Sequence, residues 1–234
     1  MTRPFPPAGY VRRAIAGHDV VAWEGAVEAV ERALAEAPSL ARWAAARAER
    51  EVAGGRGPAW RVDLGGTPAA VRHFRRGGWM GPLLGDRYFG RPPRPFVELA
   101  VSEALRAAGV PTPRVLAAAV LTGPRGYRAD LATEWLSPGL DLAELLRPGL
   151  YPDAERARAA EAAGHTVARA HAAGLDHPDV RPRNLFLRPI DSGRWEALLL
   201  DLDRARLRAG VGPAKKKTSI ASTGRSRRSV ARAA

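Results

Sequence analysis

The segment His177-Pro178-Asp179-Val180-Arg181-Pro182-Arg183-Asn184 constrains this chain more than any other feature. It has the pattern H-x-D-x-x-x-x-N and follows an Ala-rich helical pattern that stops at Gly174, while an apolar run at 185–188 comes after it. Asn184 is the only asparagine among 234 residues. With 11 aspartates and five histidines, an Asp five positions and a His seven positions before it coincide about once in a thousand times. The segment therefore predicts a functional loop between a helix and a strand.

A second apolar run, 198–200, ends at Asp201 and is predicted to form a hairpin with 185–188 around a turn at 191–193. The hairpin brings Asp201 and Asn184 together, and their hard oxygen atoms suit Mg²⁺ that bridges nucleotide phosphates. Asp179, just upstream, is placed to accept a proton from an attacking hydroxyl. Taken alone, Asp201 is equally well explained as a strand-end cap. His177 is expected to buttress the loop and not to act as a base.

The remaining pattern predicts an α+β protein with a strand-rich first half and a helical second half. Helical periodicity covers 23–50, with a break at Pro38-Ser39 and Ser39 as the cap of a second short helix. One strand is predicted before a Gly-rich turn at 54–58, and further strands at 60–63, 69–74, 115–121 and 127–135. Later helices are predicted at 96–108, 141–146 and 153–173. This order predicts a two-lobed layout.

The turn Gly55-Arg56-Gly57 belongs to a segment that fits G-x-G-x-x-G-x-V, except that Trp60 replaces the third glycine. Small residues let backbone N–H groups approach phosphates. On its own, however, such a turn is more often an ordinary hairpin. The nucleotide-binding P-loop is excluded because it needs a lysine, and the chain has none before Lys215.

The net charge of +13 is divided unevenly along the chain. Residues 1–210 hold 30 arginines and all 24 acidic residues, a net +6, whereas 211–234 hold seven cations and no acid. We expect this tail to be disordered, and its lack of an apolar period suggests the hypothesis that it is read out of frame. Noncatalytic binding of nucleotides or polyanions through the tail is one alternative role for the chain. The net charge of +6 on residues 1–210 does not by itself indicate a nucleic acid partner.

Cysteine is absent, which excludes disulfides, thiolate metal sites and a cysteine nucleophile, and favours a cytoplasmic location. The first residues lack the apolar core of a signal peptide. No run approaches the roughly 18 apolar residues that span a bilayer. Any membrane contact is therefore expected to be peripheral.

Eight strings of the chain resemble those of the protein kinase-like superfamily and, within it, of the bacterial 3-deoxy-D-manno-octulosonic acid (Kdo) kinases of lipopolysaccharide assembly. They are GRGPAWRV at 55–62, VRHFRRGG at 71–78, LLGDRYF at 83–89, RPFVEL at 94–99, AAGVPTPRVLAA at 107–118, RADLATEWL at 128–136, HPDVRPRN at 177–184 and LLDLDRAR at 199–206. RHFRRGG, and D-x-D-R in place of D-F-G, point to the smaller family. The resemblance implies a two-lobed kinase-like fold, with a small antiparallel-sheet N-lobe and a short, mostly helical C-lobe.

The same resemblance implies ATP-dependent phosphorylation of a Kdo hydroxyl on a lipid A precursor at the cytoplasmic face of the inner membrane. ATP and Mg²⁺ are the implied cofactors, and no specific nucleic acid partner is expected. Asp179 matches the catalytic base, while Asn184 and Asp201 match the Mg²⁺ ligands.

The resemblance also places the nucleotide. Gly55 and Gly57 match the glycines that cover its phosphates, and the backbone from Glu134 to Leu136 matches the hinge that bonds adenine. Arg72 stands where ordinary kinases have their phosphate-pairing lysine, and Glu98 matches the helix glutamate that pairs with it. A guanidinium fork can hold phosphate oxygens. From the residues alone, Arg72 is equally well explained as an exposed strand arginine.

Arg75 and Arg76 are candidates to meet the carboxylate or phosphates of an anionic sugar lipid, although a solvated loop explains them more simply. The main alternative function is a kinase-fold phosphotransferase for another small hydroxyl substrate, such as an aminoglycoside or a choline-like compound. An acidic pocket would favour a cationic substrate. The chain instead has a run of arginines in this region, which favours an anionic one: Arg75, Arg76, Arg87, Arg91 and Arg94.

Four segments are predicted along the chain. Residues 1–53 form an N-terminal helical extension, 54–136 a kinase-like N-lobe, 137–210 a C-lobe with the catalytic loop, and 211–234 the basic tail.

Overall fold

A computed structural model of the chain describes residues 4–48, 50–54, 57–75, 85–90, 92–191 and 193–208. Gly55, Arg76, Arg91 and the predicted basic tail lie outside these residues. What the sequence predicts for them stays a prediction.

The described chain contains strands and helices in nearly the predicted order. The strands are β1 (Tyr10–Ile15), β2 (His18–Trp23), β3 (Arg50–Gly54), β4 (Gly57–Asp63), β5 (Pro68–His73), β6 (Val115–Gly123), β7 (Gly126–Glu134), β8 (Leu140–Asp141), β9 (Leu175–Asp176), β10 (Leu185–Asp191), β11 (Arg194–Leu199) and β12 (Arg206–Leu207). The helices are α1 (Val27–Glu36), α2 (Leu40–Arg47), α3 (Arg94–Ala107), α4 (Leu142–Leu145) and α5 (Asp153–Ala172), with 3-10 turns at Glu24–Ala26 and Pro182–Asn184.

Seven strands form one antiparallel sheet in the order β1-β2-β6-β7-β5-β4-β3. Smaller sheets are β11-β10-β8 and β12-β9. The fold class predicted from the sequence, α+β with an antiparallel sheet, is confirmed. None of the described helices has the length and apolar character needed to cross a membrane.

Alternation along the strands gives the large sheet two apolar faces. One face packs against α1 and α2, through residues such as Val30 and Leu40 against Val71. The other packs against α3, with Phe96 and Leu99 at its centre. Helix α3 also contributes to a further apolar cluster with α4, α5 and the β10-β11 hairpin. It therefore connects the sheet to the part of the chain that carries the predicted catalytic loop.

The first 53 residues differ from the predicted helical extension. Helices α1 and α2 are present, and the backbone N–H of Arg42 donates to the Oγ of Ser39 at 3.2 Å, which confirms the predicted break and cap. However, β1 and β2 precede them and join the large sheet through β6. The sequence prediction missed this hairpin because its two turn residues, Ala16 and Gly17, both have positive φ, and such turns are usually signalled by Asn-Gly.

Candidate active site

The predicted catalytic loop connects β9 to β10, and His177 holds it in place. The Nδ1 of His177 accepts from the backbone N–H of Asp179 at 3.1 Å, so the ring proton lies on Nε2. Nε2 then donates to the backbone carbonyl of Asp201 at 3.0 Å. The histidine thus ties the loop to the residues after β11, which is the buttressing role that the sequence suggested.

Asn184 makes a second connection within the same loop. Its side-chain Nδ2 donates to the backbone carbonyl of Asp179 at 2.9 Å, and its own carbonyl accepts from the N–H of Leu200 at 2.8 Å. The amide Oδ1 remains as an acceptor. The carboxylate of Asp179 is about four-fifths buried and forms an ion pair with the exposed Arg181.

Asp201 follows β11 in an unusual backbone conformation, with φ of 52°. A non-glycine residue at positive φ is uncommon and costs conformational energy, and such residues concentrate at functional sites. Its Oδ1 is buried and has no hydrogen-bond partner among the described residues. Among the described residues, the Nη2 of Arg72 lies 3.6 Å from it, which is an ion pair without a hydrogen bond. This carboxylate oxygen therefore keeps its capacity to accept a hydrogen bond or to ligate a cation.

Arg72 in β5 and Glu98 in α3 form the ion pair implied by the resemblance. Nη2 of Arg72 donates to both carboxylate oxygens of Glu98 at 2.6 Å, and the Glu98 side chain is 7% exposed. Burial acts to lower the pKa of Arg72, but the negative charges of Glu98 and Asp201 outweigh it and hold the pKa above its ordinary value. Because the described hydrogen bonds of this guanidinium use Nη2 alone, Nε and Nη1 remain for a phosphate.

The pair formed by Arg94 and Asp203 was not predicted from the sequence. Arg94 begins α3, and its Nη1 donates to Asp203 at 3.1 Å. The Asp203 side chain is 4% exposed. A buried carboxylate requires a partner. The second Asp of the D-x-D-R string, once it is buried, therefore requires a cationic partner. The sequence does not indicate which arginine provides it.

Other predicted residues stand around this cluster. Glu134 ends β7, opposite Ala69 in β5, and Leu136 lies in the connection between β7 and β8. In this connection the N–H of Trp135 donates to the carbonyl of Pro68 at 2.9 Å. Gly57 begins β4 opposite Gly54, at the base of the β3-β4 turn.

Arg75 lies away from this cluster, near the other face of the large sheet. Consecutive residues of a strand project to opposite faces, so Arg72 and His73 face away from each other. Arg75 is exposed and lines a cavity of about 730 Å³ on the side of His73, beside α2. The structure therefore does not bring Arg75 to the cluster of Arg72, Glu98 and Asp201.

A buried network on the His73 side is a further feature that the sequence analysis missed. His73 bonds Asp130 through Nδ1 at 2.6 Å and Asp86 through Nε2 at 3.1 Å. Asp130 accepts from the N–H of Ala41 at 2.9 Å, and Asp86 accepts from Arg128 at 2.8 Å. This network links β5, β7 and the start of α2.

The lipopolysaccharide kinase (Kdo/WaaP) family matches residues 30–226, which is most of the chain. The chain belongs to this family. The family membership predicted from the sequence is thereby confirmed.

Three curated relatives illustrate the similarity of this Kdo/WaaP family member to known proteins, and each is named 3-deoxy-D-manno-octulosonic acid kinase. The protein from Vibrio vulnificus (strain YJ016) is 33% identical over 172 residues, which cover 71% of this chain and 70% of the relative. Those from Xanthomonas axonopodis pv. citri (strain 306) and Xylella fastidiosa (strain M12) are 39% and 34% identical, and cover 69% and 71% of this chain. The chain spans 63% and 64% of the length of these last two relatives.

Two side-chain oxygen atoms of this site fit a magnesium ion. Mg²⁺ in phosphoryl-transfer sites is held by one or two side-chain oxygens together with phosphate oxygens and water. The unpartnered Oδ1 of Asp201 and the remaining acceptor of Asn184 are such oxygens. In the described ranges, no group of three or more His, Cys, Asp or Glu side chains could hold a metal ion without further ligands.

Proposed function

We propose that this protein is an ATP-dependent kinase that phosphorylates a hydroxyl of Kdo on a lipid A precursor. The observation that carries the proposal is the joining of Asp179, Asn184 and Asp201 by hydrogen bonds at the end of the β10-β11 hairpin, next to the Arg72–Glu98 pair. Membership of the Kdo/WaaP family and the names of the relatives supply the acceptor. The division into two lobes, with the nucleotide between them, is part of the proposal.

The reaction is transfer of the γ-phosphoryl group of ATP. The acceptor hydroxyl oxygen forms a bond to the γ-phosphorus as the bond to the β,γ-bridging oxygen breaks, and ADP leaves. Asp179 accepts the hydroxyl proton on its carboxylate. The hydrogen bond from the side chain of Asn184 and the bond to His177 fix the backbone of Asp179 during this step.

The nucleotide is held by charge and by backbone groups. Arg72, oriented by Glu98, contacts phosphate oxygens, and the glycines at 55 and 57 let the backbone approach them. The backbone from Glu134 to Leu136 receives adenine. Asn184 and Asp201 would hold Mg²⁺, which when bound neutralises charge on the phosphates.

The acceptor places the reaction at a membrane surface. A lipid A precursor is amphiphilic and anionic, so we propose that the protein works as a peripheral protein on the cytoplasmic face of the inner membrane. Its arginine-rich body, at net +6, suits an anionic surface.

Replacement of Asp179 tests the proposal. We expect Asp179→Ala to lower kcat for transfer to a Kdo-bearing lipid A precursor by roughly 10²–10⁴-fold, the usual contribution of a general base. ATP affinity, measured by equilibrium binding, should stay nearly unchanged because Asp179 contacts the acceptor. Asp191→Ala is the matched control, since Asp191 is an exposed carboxylate that pairs with Arg194 at the far end of the hairpin. Near-wild-type turnover of the Asp179 variant would refute the assignment of the base.

A further inference from the structure

A cavity of about 670 Å³ lies beside the catalytic loop. Its walls come from the start of α3, the catalytic loop and the segment after Asp201, and they include Val97, Pro178, Asp203 and Ala205. Pro178 directly precedes Asp179, and Val97 directly precedes Glu98. The cavity is therefore lined by sequence neighbours of Asp179 and Glu98, although neither of these two residues lines it.

The cavity beside α2 is in the wrong place for the acceptor. It lies on the His73 face of the large sheet, whereas Arg72, Glu98 and Asp201 lie on the other face. A hydroxyl bound there would be separated from Asp179 by the sheet. The cavity that Pro178 lines is instead on the side of the loop that carries Asp179.

The cavity beside the loop is lined by charges of both signs. Its two carboxylates each have an arginine partner: Asp203 is bound by Arg94, and Asp176 lies 3.9 Å from the guanidinium of Arg208. Asp176 is also opposite Arg206 in the β9-β12 strand pair.

Two further arginines line the cavity. Arg204 and Arg206 are exposed on either side of the buried Ala205, so both side chains point away from the core. Within the part of the chain that the structure describes, no ion pair joins either guanidinium to a carboxylate. Both guanidinium groups therefore remain available to an anion.

We infer that this cavity binds an anionic group of the acceptor, and that Arg204 and Arg206 determine the preference for an acidic sugar. The inference rests on the proposed function, because it takes the acceptor from there. A guanidinium matches a carboxylate or a phosphate through two parallel hydrogen bonds. Kdo is a sugar acid and carries a carboxylate close to its hydroxyls, while a lipid A precursor supplies phosphates. The shared chemistry is an oxyanion, and the acceptor hydroxyl faces Asp179 when that oxyanion is bound.

The variants Arg204→Gln and Arg206→Gln test this binding mode. We expect the KM for the Kdo-bearing acceptor to rise roughly tenfold to a hundredfold in each, as for loss of a hydrogen bond to a charged group. The KM for ATP should change by less than about twofold, a difference well below that of one such bond. Arg158→Gln is the matched control, because Arg158 is an exposed arginine on α5 outside this cavity.

Two altered acceptors identify which oxyanion the cavity holds. If the cavity holds the Kdo carboxylate, the wild-type protein should have a higher KM for an acceptor whose carboxylate is a methyl ester than for the unmodified acceptor. Each of the two variants should have the same KM for both acceptors. If the cavity holds a lipid phosphate, the wild-type protein should instead have a higher KM for an acceptor that lacks this phosphate. The two variants should then have the same KM with and without the phosphate. The inference would be overturned if both variants, like the wild-type protein, still had a higher KM for each modified acceptor than for the unmodified one.

The outcome also separates this inference from the proposed function. If the wild-type protein transfers phosphate to the Kdo-bearing acceptor and both variants have the wild-type acceptor KM, the role of the cavity is overturned and the proposed function stands. Failure of the wild-type protein to phosphorylate any Kdo-bearing acceptor would refute the proposed function. In that case, calorimetric titration with the Kdo monosaccharide still tests the cavity: binding that weakens in Arg204→Gln supports it, and binding that does not weaken contradicts it.

Discussion

Single residues decide whether this site can handle a nucleotide, and Arg72 is the clearest example. The resemblance to kinases matches it to their phosphate-pairing lysine, and its Nη2 alone makes both hydrogen bonds to Glu98. A lysine would offer one point charge to both Glu98 and the phosphate, whereas the guanidinium divides these tasks between its nitrogen atoms. The substitution of arginine for lysine is therefore compatible with phosphate binding.

We expect Arg72→Gln to lower kcat/KM for ATP by about 10²-fold or more, because a group that stabilises the transferring phosphoryl is lost. Arg72→Lys should retain part of the activity, since the charge remains but the fork does not. Steady-state kinetics with varied ATP measures both effects. Arg12→Gln is the control, as Arg12 is an exposed arginine of the same sheet that pairs with Asp19. Equal activities of Arg72→Gln and the control would show that Arg72 does not contact the nucleotide.

His73 makes the stability of the protein depend on pH. Burial acts to lower the pKa of His73, but its hydrogen bonds and charge interactions with Asp130 and Asp86 outweigh burial and raise the pKa above its ordinary value. The folded state then binds the proton more tightly than the unfolded state. The resulting stabilisation is complete below the ordinary histidine pKa of about 6.5 and is lost as pH rises through the raised value.

We therefore expect the free energy of unfolding to fall as the pH rises from about 6.5, the ordinary histidine pKa, through the raised pKa of His73, and this fall to be absent in His73→Phe. Urea denaturation across that range measures it. His165→Gln is the matched control, because His165 is exposed and should leave the slope intact. A slope that persists unchanged in His73→Phe would assign the pH dependence to other groups.

At the level of elements, the first hairpin shows where sequence patterns fail. Strands β1 and β2 meet at Ala16-Gly17, where alanine has φ of 46°. The left-handed conformation costs an alanine about 1–2 kcal/mol, and asparagine tolerates it better. The hairpin is kept because β2 pairs with β6 and Val20 and Val21 are buried on the two faces of the sheet. Tertiary packing therefore overrides the local turn preference.

Ala16→Asn should raise the free energy of unfolding by about 0.5–1 kcal/mol, because Asn-Gly is the preferred sequence for such a turn. Chemical denaturation measures the change. Ala14→Asn, placed in β1 and not in the turn, is the control and should not be stabilising. Unchanged or lowered stability of the Ala16 variant would mean that the turn is not strained by alanine.

For the whole molecule, the residue patterns predicted local features, whereas distant contacts were either implied by the resemblance, as for Arg72 with Glu98, or missed. The spacing of His177, Asp179 and Asn184 is a property of one loop, and the strands and helices around it follow from short patterns. The contacts of Asp203 with Arg94, and of His73 with Asp130, join residues 109 and 57 positions apart. No periodicity encodes such pairs, and only burial of the carboxylates in the folded chain creates the need for them.

The division of charge is another property of the whole chain. The net charge of +13 would suggest a nucleic acid partner, but the described fold carries most of the arginines in ion pairs or around candidate oxyanion sites. Its basic character is better explained by a nucleotide and an anionic acceptor. This interpretation makes the identity of the phosphorylated group the central claim.

The most direct test is to locate the phosphate in the product. The full chain would be incubated with ATP, Mg²⁺ and a Kdo-bearing lipid A precursor, and the product examined by mass spectrometry after mild acid releases the sugar. We predict one added phosphoryl group on the released Kdo, formed at least about a hundredfold more slowly when Asp179→Ala replaces the wild-type protein. ATP turnover without phosphorylation of Kdo, or phosphate found on the lipid portion alone, would contradict this account.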